Sequence, residues 1–134
     1  MNLSEFQIQN LRTLAKGLMD VSHIEAEFNM AIFADPTSEN SHSTTCGTAG
    51  CAVGFGPFFG IRKFDGETWH RYAGRCFIDK SENHFEFAWC FSAFWSRTDN
   101  TPEGASKRIT WLLEKGLPKD WEEQMDGQSP MCYN

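Results

Sequence analysis

Leu3, Phe6, Leu11, Leu14 and Leu18 recur at mainly helical spacing, with Ser4 as a cap and Glu5 in the first turn. Gly17 is expected to weaken the end of that helix. Trp69, Tyr72, Ala73, Cys76 and Phe77 fall at i, i+3, i+4, i+7 and i+8, a full apolar stripe that predicts a helix over 66–78. The clearest helix begins at Thr101. Thr101 is the N-cap, Pro102 the first helical residue and Glu103 the answer to the macrodipole. Ala105, Ile109, Leu112 and Leu113 make its buried stripe, and Gly116 and Pro118 end it.

Other stretches are less decided. Over 21–34, Ser22 and Glu25 fit a capping box and Ile24, Phe28 and Ala31 fit a helix face, yet Ile24, Ala26, Phe28, Met30 and Ile32 alternate as in a strand. Residues 35–45 are polar, lack periodicity and read as a mobile loop. Thr48 is a cap for a short helix of small residues, kinked or ended by Pro57 and Gly60. Over 85–95 the first half alternates like a strand, and Cys90, Phe91, Phe94 and Trp95 share a helical face in the second. These elements predict a mainly α, compact bundle of four to five short helices with at most a small β element. It forms a single globular domain over 1–118, with a polar, frayed C-terminal tail over 119–134.

Composition adds to this picture. A chain of 134 residues, 40% hydrophobic and 22% charged, is an ordinary globular domain. The balance of 12 Lys+Arg against 18 Asp+Glu, a net charge of −6, argues against direct nucleic-acid binding and against anionic membranes. No apolar run approaches the length of a membrane span, and Met1 to Phe6 has neither a basic nor an apolar leader pattern. An odd count of five cysteines is a poor disulfide framework, so reduced thiols in a cytoplasmic protein are expected.

Cys46-Gly47-Thr48-Ala49-Gly50-Cys51 is the sharpest local feature. A thiol at a helix N-terminus meets unpaired N–H groups and partial positive charge, which lower its pKa. Cys46 or Cys51 is therefore a candidate nucleophile, with His84 as the candidate base and His70 as a second. The plainer reading makes both thiols packing residues. His42, Cys46 and Cys51, spaced His-x3-Cys-x4-Cys, are an alternative zinc set that Cys76 or His70 would complete. The glycines of 47–60 match neither a Rossmann fingerprint nor a P-loop, and no cofactor is expected.

Trp89, Phe91, Phe94 and Trp95 cannot all point to one side of a short element, so at least one ring is expected at the surface. Trp95, just before the polar turn 96–100, is the preferred binding anchor, with Thr48 the other binding candidate.

Residues 46–54 resemble the Cys-Gly-Thr-x-x-Cys-x-x-Gly signature of small uncharacterised phage and bacterial proteins. Phe28-Asn29-Met30 upstream, and Trp89-Cys90-Phe91-Ser92, Trp95 and residues 99–109 downstream, extend the likeness over roughly 26–118. The resemblance implies a phage-borne accessory protein that binds a host protein in the host cytoplasm, a defence or metabolic factor, without catalysis. The alternatives are a cysteine-dependent enzyme using Cys46 or Cys51 and, from the net charge of −6, an acidic DNA mimic.

Overall fold

The computed structural model describes residues 1–20, 27–28, 49–50, 52–92, 94–95 and 98–127. The protein is mainly helical. In chain order the elements are α1 (Glu5–Asp20), β1 (Glu27–Phe28), β2 (Ala49–Gly50), a 3-10 helix (Val53–Phe59), α2 (Trp69–Cys76), α3 (His84–Phe91), α4 (Pro102–Lys115) and α5 (Trp121–Asp126). The small β element is a parallel pairing of Glu27 with Ala49 and Phe28 with Gly50.

Local rules start the helices. Before α1, the Ser4 hydroxyl accepts from the Gln7 N–H at 3.1 Å and the Gln7 amide oxygen accepts from the Ser4 N–H at 2.9 Å, a reciprocal capping box. Thr68 caps α2 by accepting from the Arg71 N–H at 3.2 Å. Thr101 caps α4 by accepting from the Gly104 N–H at 3.0 Å, with Pro102 in the first turn and Gly116 at the C-cap.

Packing follows from the stripes. Leu11, Leu14 and Leu18 of α1 lie in the core with Trp69, Tyr72, Ala73 and Cys76 of α2 and with Ala105, Ile109 and Leu112 of α4. The α1–α4 contact is the most extensive between elements. It is close because the Ser106 hydroxyl donates to the Ala15 carbonyl at 2.6 Å. The α1 side chains of Gln7 and Asn10 donate to the carbonyls of Gly74 and Cys76 at 2.8 and 3.1 Å, satisfying the C-terminal end of α2.

Gly17 does not end α1, which runs on to Asp20. Its lack of a Cβ admits the Phe59 ring, whose Cε2 would stand 2.6 Å from a Cβ there. The loop before α2 is pinned by Arg75, which donates to Glu67 through Nε and Nη2 at 2.7 and 2.8 Å and to the Arg62 carbonyl at 2.8 Å. That hydrogen-bonded pairing with Arg75 holds the Glu67 carboxyl below its ordinary value.

One open choice is decided and two expectations are corrected. Residues 84–91 are helical, which settles the first half of 85–95 as helix. Phe87, Trp89, Cys90 and Phe91 are all buried, so α3 is apolar on several sides because it packs on several sides, and an every-second-residue pattern arises without a sheet. The stretch after 119 is not a frayed tail throughout, because 121–126 form α5, whose Gln124 and Met125 are buried. The short helix expected from Thr48 starts later. Ala49 and Gly50 are extended, and Ala52 occupies the N-cap of the 3-10 helix with no side-chain cap bond. Thr48 itself, and the ambiguous stretch apart from Glu27 and Phe28, lie outside the described residues.

Candidate functional site: an aromatic groove with a basic rim

An apolar groove lies between α3 and α5, with a volume of about 470 Å³. Phe87 and Phe91, one turn apart on α3, line it, and both are buried. Trp121 and Met125, one turn apart on α5, line it from the facing side. The other side of α3 is committed to the core, where the Trp89 indole donates to the Arg108 carbonyl at 2.9 Å. That anchor sets the rotation of α3 and so aims Phe87 and Phe91 at the groove. The Gln124 amide donates to the Asp120 carboxylate at 2.9 Å and closes the first turn of α5.

Two exposed rings accompany this groove. Phe85 is 57% exposed and rests on Trp121 with ring centroids 5.5 Å apart. Phe94 is 53% exposed at the edge of the groove, and its N–H donates to the Ser92 hydroxyl at 3.1 Å in the turn that leaves α3. The remaining rim is basic or imidazole: His70, Lys80 and His84. The Lys80 ammonium lies 5.8 Å from the centroid of the Phe87 ring. A shallower groove of about 480 Å³ shares His70 and Lys80 and adds Arg71 and Arg75.

The site residues expected from sequence fare differently. At least one aromatic of 89–95 reaches the surface, as expected, but it is Phe94 and not Trp95. Trp95 is fully buried, edge-on to Trp89 with centroids 5.4 Å apart, its indole donating to the Ala88 carbonyl at 3.2 Å. The Arg108 guanidinium lies 4.1 Å from its ring centroid, so no face of Trp95 is left for a partner. His84 is exposed on the groove rim as the first residue of a helix, rather than before a strand. His42, Cys46, Thr48 and Cys51 lie outside the described residues. Among the described residues no group of three or more His, Cys, Asp or Glu is placed to hold a metal ion.

Cys76 and Cys90 are free and buried. Burial pushes the Cys76 thiol up to about 11, against the opposing charge of Arg75. Burial raises the Cys90 thiol further. Thiolate at Cys76 is then on the order of one part in ten thousand at pH 7. Both thiols should therefore resist iodoacetamide in the folded protein and react fully in guanidinium, as read by mass spectrometry. Rapid native labelling of either would contradict this burial.

The groove was not singled out from sequence. Its one local signal is the i, i+4 pair Trp121 and Met125 inside an otherwise polar stretch. No helix among the described residues is long and apolar enough to cross a membrane. The chain matches no family model, no curated protein and no solved structure.

Proposed function

We propose that this protein is a non-catalytic binding module that docks a partner protein in the groove between α3 and α5. The observation that carries the reading is a pair of rings, each more than half exposed: Phe94 in the groove lining, and Phe85 packed on the lining residue Trp121. Covering a Phe side chain is favourable by about 1.5–3 kcal/mol, and aromatic anchors seated in desolvated pockets dominate interface energetics. Phe85 is already held against Trp121, which lowers the entropy lost on binding. The resemblance of residues 46–54 to small phage and bacterial proteins supports a phage-type accessory role in the host cytoplasm. It makes host defence and metabolic factors the first partners to test. The chain's net charge of −6 supports a protein partner over direct nucleic-acid binding.

The test compares the wild type with the double variant Phe85→Ala/Phe94→Ala. Both rings are exposed, so the thermal midpoint should change by no more than the equivalent of about 0.5 kcal/mol. Proteins captured by the wild type from host lysate should be depleted about tenfold or more on the double variant, measured by quantitative mass spectrometry. The same captured set on both baits would refute docking at this groove.

A further inference from the structure

We propose that the segment docked in this groove is acidic, with apolar anchors flanked by Asp and Glu. This rests on the docking reading above and names the chemistry of its partner. The chain as a whole carries 18 Asp+Glu against 12 Lys+Arg, yet the charged or imidazole side chains lining the groove are Lys80, His70 and His84, with no carboxylate among the described residues. The adjoining shallow groove adds Arg71 and Arg75 against Asp79 alone. Arg75 is committed to Glu67, which leaves Arg71, Lys80 and His84 to face a ligand.

Nearby acids avoid the site. Glu86 on α3 and Glu122 and Glu123 on α5 line neither groove, although they belong to the two helices that form the apolar floor. A rim that carries Lys80 and Arg71 around an apolar floor, on a chain of net charge −6, selects a ligand of opposite charge and repels a basic one. Lys80 serves both parts, because its ammonium lines the groove and lies 5.8 Å from the centroid of the Phe87 ring. The groove volume of about 470 Å³ has room for a few apolar side chains, and the cations stand where flanking residues would run. A nucleic acid would meet the same cations, but with few of them and a net charge of −6 it would gain little from phosphate neutralisation.

The test uses the full chain and fluorescence anisotropy. Labelled peptides of about twelve residues carry the same Leu-Trp-Leu anchors, flanked in one by Asp and Glu and in the other by Lys and Arg, and an oligo-dT of similar length is the third probe. At low salt the acidic peptide should bind at least about tenfold tighter than the basic one. The gap should shrink as the Debye length falls from about 30 Å to about 8 Å. Lys80→Glu/His84→Glu, both exposed positions, should reverse the preference and lower the association rate for the acidic peptide about tenfold. Phe94→Ala should weaken the acidic peptide about tenfold through faster dissociation. Equal affinity for the two peptides, still lost in Phe94→Ala, would overturn the charge assignment and leave the docking reading standing. Peptide binding indifferent to Phe94→Ala would overturn the docking reading itself. Absence of acidic-peptide binding up to about 1 mM, or tighter binding of the oligo-dT, would overturn the proposal.

Discussion

Trp95→Ala should destabilise the protein by about 3–5 kcal/mol, while Phe94→Ala, one residue away, should leave stability within about 0.5 kcal/mol. Trp95 has no accessible surface and is among the largest fully buried side chains. Its ring stands edge-on to Trp89, its indole N–H satisfies the Ala88 carbonyl near the end of α3, and its face receives the Arg108 guanidinium. Removal to Ala would leave a cavity between α3 and α4 and deprive Arg108 of its aromatic cover. Part of the cost is the lost transfer free energy of the ring and part is the cavity, since helices pinned by the Trp89–Arg108 hydrogen bond cannot close on it. Phe94, by contrast, already spends half its surface in water. Urea unfolding followed by far-UV circular dichroism reads both variants. A Trp95→Ala midpoint equal to wild type would show that this ring is not a core element.

Asp99→Ala should cost about 3 kcal/mol, and Arg108→Met on that background should restore a large part of it. Arg108 is fully buried, and its Nη1 lies 3.4 Å from the Asp99 carboxylate, which is itself largely covered. Taking away the carboxylate removes a counter-charge from a guanidinium buried in a medium that solvates it poorly, whereas taking away the guanidinium as well leaves an apolar side chain beside Trp95. Asp99 has a second task. Its Oδ1 accepts from the Thr101 hydroxyl at 2.6 Å, and the same Thr101 oxygen caps α4 at Gly104. A Cβ at Gly104 would collide with the Asp99 carboxylate, so Gly at this helical position makes room for the ion pair rather than flexibility. A double-mutant cycle on unfolding free energies should give a coupling above about 1 kcal/mol between positions 99 and 108. Additive effects, or a loss below about 1 kcal/mol for Asp99→Ala alone, would refute the pairing.

The part of the fold that obeys local rules is written in the order of the residues. The Ser4 and Thr101 caps and the stripes of α1, α2 and α4 depend on residues three or four apart, which meet whatever the rest of the chain does. The Asn83 side chain, paired with both backbone groups of Asn2, is the opposite case, an anchor between distant residues that no window contains. The choice of helix over strand at 84–91 was also tertiary. Buried residues on several sides of α3 erase the period that would distinguish the two, and α4 and α5 decide it by packing on different faces. So was α5, whose six residues are too few to hold a helix in water and form one because Trp121 and Met125 rest beside α3. The fates of Phe94 and Trp95 were settled in the same way. Neighbours of similar hydrophobicity are separated by the position of Arg108 and Trp89, and a ring goes inward where its N–H finds a carbonyl and its face finds a cation. The groove itself exists only once α2, α3 and α5 have docked, because its rim and floor come from separate helices with no common local pattern.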